Sequence, residues 1–269
     1  MALHETTVTA TPVVGVYVTE SASAQRFERH WHACFGFGLL DHGGQKWRSR
    51  SGTVEAQPGQ VINTVPGEVH DGQPVGAQTR RWRIVSVEPD VMSGLIDHAG
   101  ESPDLARPVI DDGLVSGAID RVLREAATWR GASSAVAALG FEEALIESCV
   151  LLMSRHASAR APTAAVGNLG VVRDRLAQDL AATPPLTELA SLAGLSKYQV
   201  LRGFQKQYGL PPHRWLLCLR AERARSHIRS GLSLATAAAA SGFADQAHMT
   251  RTFARVYGFT PGSWRKACS

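Results

Sequence analysis

The chain has 269 residues, 44% hydrophobic and 19% charged, with 28 Lys and Arg against 24 Asp and Glu. That length suggests two domains, and the composition is that of an ordinary globular protein, for which disorder is not the default. No apolar run approaches the ~18 residues that a membrane span requires. The N-terminus, MALHETTVTATPVV, has neither the basic nor the apolar region of a signal peptide. Cys34, Cys149, Cys218 and Cys268 are scattered with no CxxC pair, as suits free thiols in a reducing compartment. The expected location is the cytoplasm.

The net charge of +4 hides an asymmetry. Residues 1–158 carry 13 Lys and Arg against 19 Asp and Glu, a balance of −6. Residues 159–269 carry 15 against 5, a balance of +10. A basic C-terminal part behind an acidic front suggests a polyanion-binding module attached to something else.

From Thr7 to about Val91 the chain reads as β structure. The strand candidates are Val13 to Val18, Phe35 to Leu40, Gly52 to Glu55, Val61 to Val65 and Trp82 to Val87. Turn signals separate them: Asp41-His42-Gly43-Gly44, Pro58-Gly59, Pro66-Gly67 and Asp71-Gly72. Many short strands so punctuated suggest a barrel or sandwich. The first two turns are expected to join neighbouring strands as hairpins. His30 and His32, in RHWH, fall on one side of an extended chain and can face a single cavity; His70 follows in PGEVHDG.

This spacing is similar to the cupin fold, where an early H-x-H and a later P-G-x-x-H can hold a metal. The resemblance covers His30, His32, Pro66 to His70 and the Pro58-Gly59 turn. It departs at Ala33 to Gly38, where a cupin metal site usually adds a glutamate. Three imidazoles can bind zinc or iron(II), or they line a pocket that takes an organic ligand. The second reading is adopted, with no metal or other cofactor assigned. It gives an effector-binding set of His30, His32, Trp47, Arg50, His70 and Trp82, with Arg48 as a further cation.

Two helices are expected next. Asp111 or Asp112 can cap one carrying Leu114, Ile119, Val122, Leu123 and Ala126. Ser133 or Ser134 can cap another carrying Val136, Leu139, Ala144, Leu145, Cys149 and Leu152 up to His156. The stripe Leu145, Cys149 and Leu152 either pairs with a partner helix or packs on its own domain. ASARAPTAAVGN, Ala157 to Asn168, reads as a linker.

The C-terminal part begins with a helix expected over Leu169 to Ala182, stopped by Pro184-Pro185. A short helix with Leu186, Leu189, Ala190 and Ala193 on one face follows, then the turn Gly194-Leu195-Ser196. Ser196 caps KYQVLRGFQKQYG, where Val200, Phe204 and Tyr208 face inward. An arginine-rich helix over Leu219 to Ile228 leads to a second such unit. There Leu234 to Ala240 and the turn at Ser241-Gly242 precede a helix with Met249, Phe253 and Tyr257 on one face. The two units repeat one pattern, F-x3-Y-G-x2-P-x2-W. It runs through Phe204, Tyr208, Gly209, Pro212 and Trp215, and again through Phe253, Tyr257, Gly258, Pro261 and Trp264. A helix apolar behind and polar in front, entered by a tight turn, is the build of a recognition helix, and here it occurs twice.

A-G-L-S-x5-R-x-F at Ala193 to Phe204 and G-F-x5-M-T-R-T-F-x3-Y-G-x-T-P at Gly242 to Pro261 resemble the AraC/XylS family of transcription regulators. The resemblance implies a multidomain α+β chain: a cupin-like effector-binding and dimerisation β-barrel with two flanking helices (1–158), a linker (159–168), and an all-α DNA-binding domain with two helix-turn-helix units (169–269). Each subunit would set two recognition helices into successive major grooves, about one helical turn or roughly 34 Å apart. By position, base contacts fall on Tyr198, Leu201 and Arg202 and on Gln246, Ala247 and Arg251, with Lys197, Gln199 and His248 close by. The implied partners are double-stranded DNA, a small-molecule effector, a second copy of the chain and RNA polymerase. A non-enzyme regulator is expected. The alternative is a metal-dependent cupin enzyme fused to a DNA-binding domain.

Overall fold

A computed structural model describes residues 4–49, 52–76, 79–96, 104–105, 107–158 and 168–268. The chain folds as two compact units, residues 1–28 with 32–160 and residues 29–31 with 161–269. Among the described residues no helix is long and apolar enough to cross a membrane.

The N-terminal strands are β1 (His4–Ala10), β2 (Val16–Ser23), β3 (Phe27–His30), β4 (Phe35–His42), β5 (Gly44–Ser49), β6 (Gly52–Ala56), β7 (Val61–Thr64), β8 (His70–Val75) and β9 (Arg80–Val87). Helix α1 (Pro89–Leu95), strands β10 (Asp104–Leu105) and β11 (Val109–Ile110), helices α2 (Gly113–Ala132) and α3 (Ala135–His156), and strand β12 (Ala157–Ser158) follow. Hydrogen bonding orders them as a six-stranded sheet, β1-β2-β9-β4-β7-β11, and a four-stranded sheet, β3-β8-β5-β6, with β10 and β12 forming a separate pair.

The large sheet is buried on both faces, and the period-2 alternation of its side chains says how. Val16, Val18, Phe35, Phe37, Leu39, Val61, Val85 and Val87 pack with Val115, Ile119 and Val122 of α2 and Phe141, Leu145 and Leu152 of α3. The intervening Leu40, Ile62, Trp82 and Ile84 cluster instead with Trp47, Val54 and Ala56 of the small sheet. Gly38 is required by close packing: a Cβ there would lie 1.8 Å from the Arg83 carbonyl oxygen on neighbouring β9.

Several expectations are corrected here. The strands form two open sheets packed as a sandwich, and hydrogen bonding closes no barrel among the described residues. The turns at Asp41 to Gly44 and Pro58-Gly59 are not hairpins, since β4 and β7 belong to the large sheet and β5 and β6 to the small one. A register shift between Leu40 and His42, where His42 still pairs with Arg81 of β9, marks a bulge near the end of β4. Asp71-Gly72 lies within β8 and makes no turn. Val13 to Gly15 form a turn closed by Val16 N–H donating to the Val13 carbonyl, so β2 starts at Val16. Strands β1, β3, β5 and β8 went unpredicted because their polar residues give no apolar alternation.

Asp112 and Ser134 are the caps of α2 and α3. Asp112 also accepts from Arg155 Nε at 2.7 Å and His156 Nε2 at 3.0 Å. The Arg155 hydrogen bond, followed by those from His156 and the cap amides, holds its carboxyl well below the usual range despite some desolvation. The Leu145, Cys149 and Leu152 stripe is wholly buried within its own domain. Burial pushes the Cys149 thiol up to about 12, so it is a core group and not a reactive one.

The C-terminal unit contains α4 (Leu169–Gln178), α5 (Leu186–Ala193), α6 (Lys197–Tyr208), α7 (Pro212–Arg229), α8 (Leu234–Ala240), α9 (Gln246–Tyr257) and α10 (Pro261–Cys268). Helix α4 stops four residues before the expected end, because the Asp179 carboxylate accepts from the Ala181 and Ala182 amides and offers the backbone a turn instead. Helix α7 starts at Pro212, earlier than the expected Leu219; proline suits the first turn, where no intrahelical N–H is needed. The repeated motif packs alike in both units. The Phe204–Tyr208 and Phe253–Tyr257 rings each lie 4.5 Å apart, and both following glycines are left-handed caps.

Gly242 has φ +79°, and a Cβ there would sit 1.9 Å from the Leu180 carbonyl oxygen. Gly231 has φ +92° with nothing within 4 Å of such a Cβ. Urea denaturation should therefore separate two costs. Gly231→Ala is expected to lose about 1–2 kcal/mol from the dihedral alone, and Gly242→Ala about 2–5 kcal/mol from dihedral and overlap together. Equal losses would show that the Leu180 contact does not constrain the turn.

Candidate DNA interface and ligand site

Helix α6 buries Val200 and Phe204 and leaves Lys197, Tyr198, Gln199, Leu201 and Arg202 exposed on its other side. Its start is fixed by a capping box. Gln199 N–H donates to Ser196 Oγ at 3.2 Å, while Ser196 N–H donates to Gln199 Oε1 at 2.9 Å. The Gln199 side-chain oxygen is thus committed to the cap. Arg202 stands over the Tyr198 ring, 5.9 Å from its centre. This leaves both side chains on one exposed patch.

Helix α9 repeats the arrangement. Met249, Thr252, Phe253 and Val256 are buried, and Gln246, Ala247 and Arg251 are exposed. Asp245 caps it by accepting from the His248 amide at 2.6 Å. The His248 ring meets Phe243 edge-on at 5.3 Å, which makes it part of the turn's packing as well as of the exposed face. Ala237 and Ala238 behind α9 are fully enclosed.

Helix α7 links the helix-turn-helix units by side-chain contacts to both. Arg220 of α7 donates from Nε to the Leu180 carbonyl at 2.8 Å, and from Nη2 to the Ala182 carbonyl at 3.2 Å and Thr183 Oγ1 at 3.0 Å. The same Leu180 carbonyl is the atom against which Gly242 packs. The α4–α5 connection of the first unit is thereby held between α7 and the turn of the second. At the far end of α7, Trp264 Nε1 donates to the Arg225 carbonyl at 2.9 Å, and the Arg225 guanidinium lies 5.6 Å from the Trp264 ring.

In the N-terminal sheets the three predicted histidines come together. One ring nitrogen from each of His30, His32 and His70 lies within 4.8 Å of the others. The His32 and His70 ring centres are 5.3 Å apart. His70 Nδ1–H donates to the Glu68 carbonyl at 3.0 Å. Burial lowers the His70 pKa against the opposing pull of that bond and of Glu68 and Asp71. Trp47 is enclosed between the sheets with Leu40 and Ile62, while Trp82 packs against that cluster and against Phe27. Arg50 lies outside the described residues. Arg48 uses its amide on Asp71 Oδ1, at 2.7 Å.

Two family patterns match this sequence: an AraC-like ligand binding domain over residues 13–148 and a helix-turn-helix domain over residues 189–267. The chain belongs to the AraC family. Similar proteins carry regulator names. It is 27% identical over 232 residues to the HTH-type transcriptional regulator YbfI of Bacillus subtilis, covering 84% of this chain and 82% of that one. It is also 27% identical over 165 residues to the transcriptional activator NphR of a Rhodococcus species, of whose length that match spans 49%. Among solved structures, ToxT of Vibrio cholerae, in the apo form of a single-residue variant, shares the fold at 10% identity, with a TM-score of 0.54 over 97% of this chain and 100% of that chain. Wild-type ToxT has also been solved with an unsaturated fatty acid bound (TM-score 0.50, 10% identity, 98% and 94% coverage).

One residue of this AraC-family ligand domain was missed in the sequence. Arg80, 1% exposed, lies with its guanidinium 4.8 Å from the Trp82 ring centre and 5.4 Å from that of Phe27. It donates to two neutral oxygens, Gln45 Oε1 and the Gln25 carbonyl, both at 3.0 Å. Among the described residues no carboxylate pairs with it, and burial lowers its pKa to about 10. A signal was available: Arg80 and Trp82 alternate along a strand and so share a side. A buried cation lacking a counter-charge contributes little to stability, because desolvation opposes its hydrogen bonds. Arg80→Met is expected to keep the urea-unfolding free energy within about 1 kcal/mol of the parent; a loss of several kcal/mol would make Arg80 a structural residue.

Proposed function

We propose that this AraC-family regulator reads DNA through α6 and α9 and responds to a small organic anion received between the N-terminal sheets. The observation that carries the DNA reading is the pair of capped helices, each apolar behind and polar in front, in a segment of charge +10. Arg202 and Arg251 suit bidentate contact with guanine, and Gln246 suits adenine. Leu201 and Ala247 offer apolar contact to thymine methyls, while Tyr198, Lys197, Gln199 and His248 lie beside them. The anion reading rests on Arg80, a buried guanidinium awaiting negative charge; the fatty acid bound by ToxT is likewise a carboxylate. His30, His32, His70 and Trp82 complete the ligand-facing set, with Trp47 behind them and Arg50 assigned to it from sequence.

In this reading residues 1–158 are the effector and dimerisation domain, 159–168 the linker and 169–269 the DNA-binding domain of a cytoplasmic, non-enzymatic regulator. RNA polymerase is its partner at a promoter. The effector acts by binding two arrangements of the protein with different affinity. Dimerisation uses α3, where Val136, Leu139, Ile146 and Val150 are exposed at 3/4 spacing, a seam that a second copy can cover.

Two experiments test this. In fluorescence-anisotropy titrations with the promoter DNA that precedes this gene, affinity should fall steeply with salt. Arg251→Ala should weaken specific binding by about 1–3 kcal/mol and relax one base position. A flat salt response, or an Arg251→Ala variant with unchanged sequence preference, would refute the DNA reading. For the dimer, Ile146→Asp should convert the chain to monomer in sedimentation analysis without altering its circular dichroism; a persistent dimer would exclude the α3 seam.

A further inference from the structure

We propose that Arg80 and the gap left by Gly72 form a subsite for the carboxylate of a singly charged ligand. The effector is then a monocarboxylic acid, and not a phosphate ester, a diacid or a neutral molecule. This rests on the anion reading above and adds to it the charge of the ligand and the place of its acid group. Every residue concerned belongs to the N-terminal unit.

The geometry comes from three strands. Arg80 begins β9, Phe27 begins β3 and Gly72 lies within β8. The guanidinium spends Nε on Gln45 Oε1 and Nη1 on the Gln25 carbonyl, both at 3.0 Å. Among the described residues its Nη2 makes no hydrogen bond. That nitrogen faces Gly72 across open space. A Cβ on Gly72 would stand 3.5 Å from Nη2 and 3.8 Å from the Phe27 ring, and outside the neighbouring residues of the chain it would meet nothing nearer. Gly72 is a strand residue outside the left-handed region, so no turn geometry requires a glycine there. What its missing side chain does is leave the open edge of the guanidinium unobstructed, where an acceptor oxygen can approach to about 2.8 Å.

Charge decides what fits. The guanidinium lies 4.8 Å from the Trp82 ring centre and 5.4 Å from that of Phe27, walls that keep water away and leave an arriving charge poorly screened. A neutral oxygen would repeat what Gln45 and Gln25 already supply. A carboxylate forms a charge-assisted bond, about twice as strong as a neutral one. A dianion would bring a second negative charge without a partner, beside the Asp71 carboxylate that accepts from the Arg48 amide. The lowered pKa of Arg80, caused by burial, marks the same deficit from the side of the cation.

The competing description is a guanidinium held for packing alone. The full-length chain carrying isotope-labelled arginine should give a nuclear magnetic resonance signal for the Arg80 Nε–H, slowed in exchange by burial and the Gln45 bond. Its loss in Arg80→Met assigns it. Sodium acetate is the probe, since the smallest acids test the subsite without assuming the rest of the ligand. A saturable shift is expected with acetate, and none with acetamide or methyl phosphate at equal ionic strength. Gly72→Ala should keep the Arg80 signal and weaken acetate binding at least about 10-fold, because the added methyl crowds the oxygen. Arg81→Met, exposed and on the other side of β9, should leave acetate binding unchanged. Circular dichroism and melting temperatures show which variants fold; should Gly72→Ala fail, Arg80→Met carries the comparison by thermal shift. A thermal-shift panel of octanoate, benzoate and succinate on the same proteins separates the subsite from the broader reading. Acids that stabilise the parent, Gly72→Ala and Arg80→Met alike would overturn the subsite and leave anion binding elsewhere in the domain. No response to acetate or to any panel acid would overturn both.

Discussion

The carbonyl oxygen of Leu180 is the point on which the DNA-binding unit turns. Arg220 donates to it from α7, and the backbone of Gly242 presses against it from the second helix-turn-helix. One peptide group of the first unit thus touches both the connecting helix and the turn before α9. A guanidinium suits this role because its planar fork reaches Leu180, Ala182 and Thr183 at once. A protein that reads two successive grooves depends on a set distance between its recognition helices, and an error in that distance is an error in operator spacing. Caps at Ser196 and Asp245 then fix where each helix begins, and the paired aromatic stacks fix its rotation.

The N-terminal domain meets a different constraint. Its large sheet must bury two faces, and its strands divide their apolar residues between them. The helical face takes the aliphatic and phenylalanine side chains and closes into a dry core. The other face carries Leu40, Ile62, Trp82 and Ile84 and looks toward Trp47 and Val54 of the small sheet. Arg80 and the three histidines stay in that second layer because its partner strands are rich in Gln, His and Gly. Such strands supply hydrogen-bonding groups beside the apolar cluster of Trp47, Val54 and Ala56.

Much of the fold was legible in the chain. The duplicated Phe, Tyr, Gly, Pro and Trp pattern announced two equivalent helical units, since helix period and glycine caps are local properties. The strands that alternate Val, Phe and Ile were found for the same reason. Strands β3, β5 and β8 were not, because they are held by pairing with neighbours and not by their own pattern; β8 even contains a proline and an Asp-Gly pair. The Leu145, Cys149 and Leu152 stripe was equally ambiguous, since apolar spacing shows that a face is covered without showing by what.

The sequence by itself located α6 and α9, the Ser196 cap of the first, their exposed polar residues and the basic charge of the C-terminal part. It also named His30, His32 and His70 as a set. Only the tertiary structure decided that the barrel opens into two sheets, that Asp41 to Gly44 crosses between them, and that Arg80 is buried facing neutral oxygens. The reason is physical. Helix periodicity and capping act over about four residues, whereas strand order, burial of a charge and the approach of Gly242 to Leu180 bring together residues far apart in the chain, and no local pattern encodes that proximity.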